Sequence, residues 1–268
     1  MKRLESKRIL VTGAASGIGR SLSELLAKER AILYLSDINE SGLKTLSESL
    51  KADGVNVKYF VYDVSDENAV NSVARTILSD GNLDILINNA GIGYSKDLID
   101  TPIDVWRKLI NVNLMGPIYH TYAFLNSMRS AGDGHIINVS SGQAFFKLPG
   151  WGAYASIKAA LGVFSEILYY EAKKYNIRVT TVYPFMVNTP FYKDIEGETF
   201  SAKLSMKLVP YYSMKPETVA KIILKAIKKE KKVEKVSIFN EVGFYSQFIP
   251  FAQDVLGTTS AMLLTRRK

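Results

Sequence analysis

Apolar residues along this chain fall into two patterns, short unbroken runs and longer stretches in which they recur on one helical face. Unbroken runs are typical of strands in a parallel sheet that is covered on both faces, and the longer stretches are typical of amphipathic helices. The longest helical patterns lie near residues 104–129 and 153–175. The chain is therefore predicted to fold as a single doubly wound α/β domain with about seven strands. The predicted strands are residues 8–12, 31–36, 55–62, 84–88, 135–140, 177–183 and 232–239.

The length of 268 residues suits one α/β domain with a substantial core. No internal repeat, low-complexity segment or linker divides the sequence. We expect residues 1–240 to form the domain and residues 188–215 to form a lid over its ligand. Residues 241–268 are expected to form a C-terminal extension that packs on the same domain or at an interface.

Cysteine is absent from the chain, which excludes disulfides, thiolate nucleophiles and cysteine metal sites. The two histidines, His120 and His135, lie in no metal-binding pair pattern, and His135 is expected at the start of a strand. We therefore expect no metal site.

Positive charge is concentrated near the C-terminus. The formal net charge is +8, and residues 221–268 carry ten Lys or Arg against four Asp or Glu, which gives +6 of it. Residues 242–264 are also rich in apolar side chains. A basic, apolar segment can lie on an anionic membrane surface, complete a substrate lid or pack across a subunit interface. Nucleic-acid binding is not expected, because the charge is terminal and no recognition motif accompanies it.

The sequence also bears on localisation. No apolar run approaches the length of a membrane-spanning helix. The basic N-terminus enters the first predicted strand too soon to be a secretory signal. We therefore expect a cytoplasmic protein, and the C-terminal charge leaves peripheral membrane contact open.

Three glycines directly follow the first predicted strand, at Gly13, Gly17 and Gly19, and a helical pattern begins after them. A strand, a glycine-rich turn and a helix start form an anion site, because backbone N–H groups and the helix dipole face the phosphates of a nucleotide. The spacing differs from the commonest dinucleotide fingerprint, and a tight turn without a ligand is the alternative.

Asp37 ends the second predicted strand, 20 residues after Gly17. A carboxylate at this point can accept hydrogen bonds from the ribose hydroxyls of a bound dinucleotide. It can also cap the helix that follows, and the two roles do not exclude each other.

Tyr154 and Lys158 are four residues apart in a predicted helix, so their side chains lie on one face. The pKa of a free tyrosine is about 10, and a neighbouring cation lowers the pKa of the phenol, which can then act as a general acid and base. Two serines, Ser140 and Ser141, lie shortly upstream. The spacing alone is equally compatible with a boundary tyrosine beside a solvated lysine.

Several motifs occur in one order along the chain: the glycines after Thr12, Tyr-Asp-Val at 62–64, Asn-Asn-Ala-Gly at 88–91, Asn113, Ser141, and Tyr154 with Lys158. Together they resemble the motifs of the short-chain dehydrogenase/reductase family, in its compact single-domain branch, over residues 7–190. The resemblance implies a Rossmann-type sheet with helices on both faces. It also implies an oxidoreductase that interconverts a secondary alcohol and a ketone with NAD or NADP.

Four catalytic residues follow from the resemblance, namely Asn113, Ser141, Tyr154 and Lys158. In the oxidative direction Tyr154 is expected to remove the hydroxyl proton while hydride passes to the nicotinamide. Ser141 lies 13 residues before Tyr154, is preferred to Ser140 for that reason, and is expected to hold the substrate oxygen. Lys158 is expected to favour the phenolate and contact the nicotinamide ribose, and Asn113 is expected to anchor a water.

The cofactor contacts that the resemblance implies come from all along this part of the chain. They are Gly13, Ser16, Gly17, Ile18, Gly19, Asp37, Asp63, Val64, Asn89, Ala90, Gly91, Tyr154, Lys158, Pro184, Val187 and Thr189. We expect NAD to be preferred, because Asp37 would repel the 2′-phosphate of NADP, and Ser16 and Ile38 stand where NADP users of the family often carry a basic residue. Phe185 departs from the family pattern, which has a glycine after Pro184; it either reshapes the nicotinamide pocket or packs inward.

The residues expected around the substrate are mostly aromatic or apolar. They are Phe145, Phe146, Leu148, Trp151, Met186, Phe191, Tyr192, Phe200, Met206, Leu208, Tyr211 and Tyr212. Such a pocket suits a steroid, retinoid or lipid-like alcohol or ketone better than a sugar. The alternative is that these side chains only pack the lid.

A homodimer or homotetramer is expected from the resemblance, with the helices near 104–129 and 153–175 at its interface. Other functional classes remain open. Epimerases and dehydratases of the related extended branch also use Tyr and Lys, with different glycine spacing and a larger C-terminal domain. A non-catalytic NAD-binding scaffold and a peripheral membrane protein are the remaining alternatives.

Overall fold

The computed structural model describes residues 3–146, 148–192, 195, 213–237, 241, 244, 245, 255 and 258. Within these residues seven parallel strands form one sheet in the order β3-β2-β1-β4-β5-β6-β7. The strands are β1 (Arg8–Thr12), β2 (Ile32–Asp37), β3 (Val57–Val61), β4 (Ile85–Asn88), β5 (Gly134–Val139), β6 (Ile177–Tyr183) and β7 (Val233–Lys235). The predicted Rossmann-type α/β fold is confirmed.

Helices cover both faces of the sheet. They are α1 (Gly17–Lys28), α2 (Glu40–Ala52), α3 (Glu67–Ser79), α4 (Ile103–Ile110), α5 (Gly116–Ala131), α6 (Gly152–Ala172) and α7 (Pro216–Lys228). Successive strand side chains point to opposite faces, so Ile9 and Val11 pack with the apolar sides of α1, α2 and α7. Leu10 packs on the other face with side chains of α3, α5 and α6. Both faces of β1 are therefore buried, which explains its unbroken apolar run.

Most strand boundaries agree with the prediction to within one or two residues, and β1 and β6 agree fully. β3 begins later than predicted because the N–H of Val55 bonds the carbonyl of Leu50 and closes the end of α2. β7 ends at Lys235 although residues 232–239 were predicted as a strand, and residues 238–240 lie outside the described ranges.

The predicted helix at 104–129 is divided in the structure. A π-helical turn, Asn111–Met115, separates α4 from α5. The N–H of Gly116, just before Pro117, bonds the carbonyl of Asn111 in the i→i−5 pattern, so the helical backbone continues through the π turn into α5. The other long helix, predicted at 153–175, is α6 followed by a short 3-10 turn, Lys173–Tyr175.

The strand order reverses between β1 and β4. From β1 the chain builds outward through β2 to β3, and it then returns to place β4 on the opposite side of β1. In an open parallel sheet, ligands bind outside the carboxyl ends of the strands at such a reversal. The glycine-rich loop follows β1 and Asn89 follows β4, so both lie at this point.

Two features bear on metals and membranes. His135 is buried in β5, and its Nε2 atom lies 2.8 Å from Thr180 Oγ1. Within the described ranges no group of three or more His, Cys, Asp or Glu residues could hold a metal ion. No helix in that part of the chain is long and apolar enough to cross a membrane.

Candidate active site

A cleft of about 440 Å³ opens at the carboxyl edge of the sheet. Every predicted catalytic or cofactor residue lines it except Asn113 and Gly19, which are buried just behind its wall. Its other lining residues are Ile38, Tyr62, Ile92, Lys108, Val112, Val139, Ser140, Gln143, Trp151, Phe185, Met186, Pro190 and Phe191. Residues that are distant in sequence therefore meet in a single concave site.

The glycine-rich loop has the geometry of an anion cradle. Gly13 and Gly17 adopt φ values of 66° and 53°, which favour glycine. A Cβ atom at Gly13 would lie 2.8 Å from Ala90 Cα, and one at Gly19 would lie 2.1 Å from Gly13 O. Ser16 is the N-cap residue of α1, and its side chain makes no capping hydrogen bond. The first N–H groups of α1 and the helix dipole are therefore available to phosphate oxygens, and these residues fit a dinucleotide.

Hydrogen bonds lock the loops after β1 and β4 together. Thr12 Oγ1 accepts bonds of 3.0 Å from the N–H groups of both Asn89 and Ala90. Asn89 Nδ2 donates to the carbonyls of Thr12 and Gly13 at 2.9 and 3.1 Å. One asparagine thus fixes both loops at the strand-order reversal.

Asp37 connects β2 to the glycine-rich loop. Its Oδ2 accepts a 3.0 Å bond from the N–H of Ala15, and its Oδ1 accepts one of 3.0 Å from Asn39. The cap of α2 is Asn39, whose side chain accepts from the N–H of Gly42. Asp37 therefore does not cap α2 with its side chain, and its carboxylate lines the cleft beside Ile38.

Asp63 and Val64 lie on the far wall of the cleft. Asp63 Oδ1 accepts bonds from the N–H and hydroxyl groups of Ser65, at 2.9 and 2.7 Å. Val64 packs so closely on Gly116 that a Cβ there would lie 3.1 Å from the valine Cγ2. A larger residue at position 116 would therefore displace this wall.

Tyr62, a lining residue of the cleft, pairs with the buried His120, with 2.7 Å between Tyr62 Oη and His120 Nε2. Burial lowers the pKa of His120 to about 4 and raises the pKa of Tyr62 to about 12. His120 Nδ1 lies 2.8 Å from the carbonyl oxygen of Gly116, which can only accept a bond, so Nδ1 donates. Nε2 of the neutral ring then accepts from the tyrosine hydroxyl.

Tyr154 and Lys158 lie in the first turns of α6 and both face the cleft. The Nζ atom of Lys158 is 5.8 Å from the centroid of the Tyr154 ring. Lys158 is 4% exposed, and burial lowers its pKa to about 8. Its ammonium donates a 3.0 Å bond to the carbonyl of Val139 at the end of β5. The lysine is thus a buried group held beside the phenol, not a solvated one.

The two serines after β5 have different partners. Ser140 Oγ donates a 2.7 Å bond to the backbone carbonyl of Lys158, so this hydroxyl fastens α6 to the sheet. Ser141 Oγ accepts a 3.2 Å bond from the N–H of Gln143, which leaves its proton for another acceptor. Both line the cleft. The geometry favours Ser141 as the serine that contacts a ligand.

Asn113 lies in the π-helical turn and is fully buried. Its side chain bonds the backbone of Ile92 twice, receiving the N–H at 3.1 Å and donating to the carbonyl at 2.9 Å. A Cβ at Gly91 would lie 2.7 Å from Asn113 Oδ1 and 3.4 Å from Lys158 Nζ. π-turns are frequent at functional sites because they alter the helix register locally. Here the turn aligns Asn113 behind Lys158.

The loop after β6 closes the cleft from the other side. Pro184, Val187 and Thr189 line it, and a Cβ at Gly17 would lie 3.0 Å from the Thr189 methyl. Phe185 both lines the cleft and packs against Phe146, with 5.1 Å between ring centroids and the two rings tilted by 39°.

Met186 follows with φ of 46°, a left-handed conformation that is costly for a side chain of its size. Its carbonyl accepts a 2.9 Å bond from the N–H of Met214, and the Met214 carbonyl accepts one of 2.9 Å from Asn188. These bonds hold the unusual backbone in place.

The expected substrate residues are only partly brought together. Trp151, Met186 and Phe191 line the cleft, whereas Phe146 and Leu148 do not. Phe145 points away, with its ring 4.4 Å from that of Tyr183 and 5.2 Å from that of Phe244. Of Tyr192 only the backbone is described, and Phe200, Met206, Leu208, Tyr211 and Tyr212 lie outside the described residues.

Three polar or charged lining residues were not predicted, namely Gln143, Lys108 and Tyr62. Gln143 stands two residues after Ser141 in a 3-10 turn, and this nearness was the signal that could have indicated it. Lys108 comes from α4, and its place in the sequence contains no comparable signal.

Comparisons with known proteins agree with this geometry. The family model for short chain dehydrogenases matches residues 7–199, more than half of the chain. Over 205 residues the chain is 36% identical to the cyclopentanol dehydrogenase of Comamonas sp. (strain NCIMB 9872), and the alignment covers 76% of this chain and 82% of that protein.

Two solved structures share the fold. A short chain dehydrogenase/reductase from Burkholderia phymatum, in complex with NAD, has a TM-score of 0.83 and 22% identity, with coverage of 100% of this chain and 98% of that one. An alcohol dehydrogenase from the archaeon Thermococcus sibiricus, complexed with 5-hydroxy-NADP, has a TM-score of 0.74 and 27% identity, with coverage of 85% and 94%.

Proposed function

This chain belongs to the short-chain dehydrogenase family and is an oxidoreductase acting on CH–OH groups with NAD or NADP as acceptor, and we propose that Tyr154 is its general acid and base. The observation that carries the proposal is the pairing of Tyr154 with the buried cation of Lys158, in the same cleft as Ser141 and the glycine-rich loop. The substrate is proposed to be a secondary alcohol or its ketone.

The cofactor fits residues that the structure places around the cleft. A bound nicotinamide dinucleotide supplies the hydride acceptor. The loop of Gly13, Gly17 and Gly19 would hold its phosphates, and Asp37 would hold the adenosine ribose. Asn89, Ala90 and Gly91 would line its middle part. Pro184, Val187 and Thr189 would contact the nicotinamide, beside the unusual Phe185.

Protons are handled by the side chains of β5 and α6. In alcohol oxidation the phenolate of Tyr154 accepts the proton of the substrate hydroxyl, and in ketone reduction the phenol returns it. The Lys158 cation favours the phenolate, and the low dielectric around this buried ammonium strengthens that interaction. Ser141 donates its free hydroxyl proton to the substrate oxygen. Asn113 is proposed to act by positioning, through its bonds to Ile92 and a water behind Lys158.

NAD is the proposed acceptor. The Asp37 carboxylate lines the cleft and would repel the 2′-phosphate of NADP, and the neighbouring Ile38 offers no positive charge. The NAD complex of the Burkholderia phymatum protein is consistent with this, although the Thermococcus sibiricus protein has an NADP derivative bound. The choice in this chain therefore rests on the charge of Asp37.

An apolar substrate is proposed because Trp151 and Phe191 pack beside Tyr154, and Met186 lines the same cleft. The Tyr154 ring has its centroid 6.0 Å from that of Trp151 and 5.7 Å from that of Phe191. An aromatic wall of this kind removes an apolar skeleton from water while the reacting oxygen faces the polar residues. The named activity of the Comamonas protein, on an alicyclic alcohol, is in line with this class.

The domain organisation and the assembly of the chain are also proposed, each from a few contacts or exposed residues. Residues 1–240 would form the catalytic domain, with residues 188–215 as its lid and 241–268 as an extension. The ring centroids of Phe244 and Tyr245 lie 4.2 and 4.5 Å from Lys235 Nζ, and this contact supports packing of the extension on the same domain. A homo-oligomer is proposed through an exposed apolar face of α6, formed by Val163, Ile167 and Tyr170.

Peripheral contact with a membrane is a second proposal, carried by the basic charge of residues 221–268. It is tested by co-sedimentation with vesicles that contain phosphatidylserine. Absence of vesicle binding at low salt would contradict the proposal of membrane contact.

The oxidoreductase proposal is tested by NADH formation with secondary alcohols graded from cyclopentanol to sterols. Turnover that rises with apolar size, and that is lost in Tyr154→Phe, is the expected result. Tight NAD binding without turnover of any of these alcohols would favour the non-catalytic scaffold. Turnover that Tyr154→Phe retains would remove Tyr154 from its proposed role.

A further inference from the structure

The short turn that follows Ser141 ends at a buried phenylalanine. Ser141 is the N-cap of a 3-10 turn, Gly142–Ala144, and Phe145 is its C-cap. The N–H groups of Ala144 and Phe145 donate bonds of 3.0 Å to the carbonyls of Ser141 and Gly142. Phe145 is only 6% exposed. Because one turn joins the two residues, the packing of the Phe145 ring affects the position of the Ser141 hydroxyl.

Two aromatic rings from distant parts of the chain pack on Phe145. Tyr183 is the last residue of β6, and its ring centroid lies 4.4 Å from that of Phe145. The ring of Phe244 meets Phe145 edge-on, with 5.2 Å between the centroids and 80° between the planes. Edge-to-face pairs at this separation are more favourable than their buried area alone would make them. Phe145 is therefore held from the sheet by one ring and from the C-terminal extension, residues 241–268, by another.

Lys235 fastens this part of the extension to the end of the sheet. It is the last residue of β7 and pairs with Tyr183 of β6. Its Nζ lies 2.6 Å from Glu241 Oε2, and 4.2 and 4.5 Å from the ring centroids of Phe244 and Tyr245. The Lys235 side chain is 12% exposed, so water and salt screen these contacts less than they screen contacts of a surface lysine. One cation thus holds the segment that carries Phe244.

We propose that Phe244 is a positioning residue for Ser141, through its contact with Phe145. This rests on the proposed function, in which Ser141 donates its proton to the substrate oxygen. Loss of the Phe244 ring removes one of the two rings that hold Phe145, and the turn that carries Ser141 then moves more freely. Small displacements of a positioning group lower the rate even when the substitution is far from the reacting atoms. The extension therefore contributes to the reaction without touching the substrate.

The first experiment is a double-mutant cycle, measured by NADH formation with the alcohol that the wild type oxidises fastest in the series from cyclopentanol to sterols. Phe244→Ala is expected to lower kcat/KM for that alcohol by roughly tenfold. In a Ser141→Ala background the same substitution is expected to lower it by less than about twofold, because the group that Phe244 positions is already absent. Phe244→Tyr keeps an aromatic ring at this position and should retain most of the wild-type kcat/KM.

Two further variants separate positioning from a general loss of stability. Tyr59→Ala removes a partly buried aromatic ring from β3, on the other side of the sheet from Ser141 in strand order. It is expected to lower the urea midpoint of unfolding and to leave kcat/KM of the folded protein unchanged. Lys235→Met keeps the Phe244 ring and removes the cation. It should give a smaller loss than Phe244→Ala with the same dependence on Ser141, and it replaces Phe244→Ala if that variant does not fold.

Hydrogen exchange reports the contact without turnover. The amides of Ala144 and Phe145 are bonded within the turn, so their exchange measures how often the turn opens. In Phe244→Ala, or in Lys235→Met if that variant replaces it, exchange in peptides that cover residues 141–146 is expected to be faster than in the wild type. Peptides that cover the glycine-rich loop, residues 13–19, are expected to exchange as before, and so is the Kd for NAD.

The outcomes separate this inference from the proposed function. An equal loss of kcat/KM in both backgrounds, or no loss in Phe244→Ala, would overturn the positioning role and leave the dehydrogenase intact. Unchanged exchange in residues 141–146 would overturn it as well. A wild-type rate in Ser141→Ala would remove both the role of Ser141 and this inference. Failure of every alcohol to be oxidised would count against the proposed function, and the exchange of the turn would still decide whether Phe244 holds it.

Discussion

The carboxylate of Asp37 accepts a hydrogen bond from the backbone N–H of Ala15, with 3.0 Å between Oδ2 and N. One side chain at the end of β2 thus fixes the glycine-rich loop that follows β1. Any change at Asp37 is therefore expected to have two effects, on the charge proposed to face the cofactor and on the glycine-rich loop proposed to hold it.

Asp37→Asn separates these effects, because the amide oxygen can still accept from Ala15 while the negative charge is lost. We expect the ratio of kcat/KM for NADP to that for NAD to rise by about tenfold or more, since a like-charge repulsion of roughly 1–2 kcal/mol is removed. The control Asp53→Asn, at the end of α2 and outside the cleft, is expected to leave the ratio unchanged. Equal use of both cofactors by the wild type would contradict the argument.

Tyr154→Phe is expected to lower kcat by roughly 10²- to 10⁴-fold, because the proton acceptor of the reaction is lost. The Kd for NAD, measured by fluorescence titration, should change little. Tyr122→Phe serves as the matched control, since this tyrosine is exposed on α5 and makes no contact with the cleft. A rate near that of the wild type in Tyr154→Phe would show that another group moves the proton.

Lys158 links stability to pH. Its pKa is about 8 in the folded protein and 10.5 in the reference state, so the unfolded chain binds the extra proton between these values. Stability relative to Lys158→Met is therefore expected to be constant below about pH 8 and to rise above it, by up to about 3 kcal/mol at pH 10.5. Urea unfolding of both proteins without cofactor, from pH 7 upward, measures the difference. If the difference in unfolding free energy between the two proteins did not change over this pH range, the pKa of Lys158 would not be lowered in the folded protein.

The apolar face of α6 gives a prediction on assembly. Val163, Ile167 and Tyr170 are exposed by 59%, 52% and 62%, and their spacing places them on one side of the helix. Ile167→Glu would place a charge in any interface formed there, so we expect a smaller particle mass by light scattering. Ser49→Glu adds the same charge on the exposed side of α2 and should leave the mass unchanged. Identical masses for all three proteins would place the interface elsewhere.

The sequence predicted the sheet well because both faces of its strands are buried, and continuous apolar runs are hard to mistake. The glycine-rich loop was also predictable, since only glycine can lie where Gly13 and Gly19 approach neighbouring backbone. Helix interruptions were less predictable. The π turn that holds Asn113 has the same apolar spacing, to within one residue, as an unbroken helix.

Most differences between the predicted and the observed substrate residues come from the direction of side chains in loops. Phe145 and Phe146 both follow the candidate serines, and an aromatic cluster there suggested a substrate wall. In the structure the ring of Phe145 packs against Tyr183, and the ring of Phe146 packs against Phe185. Loops have no fixed periodicity, so nothing in the sequence indicates which residue faces the cleft.

Lys158 is tied to β5 at both ends, its backbone carbonyl by Ser140 and its ammonium by the Val139 carbonyl. Lys158, one of the residues proposed to carry out the chemistry, is thus anchored to the sheet, whereas Gln143, Met186 and Phe191 reach the cleft from short turns and connecting segments. Substitutions in the loops can alter the molecules that fit without loosening the reactive pair. After gene duplication, such an arrangement allows the substrate range to change while the reaction itself is kept.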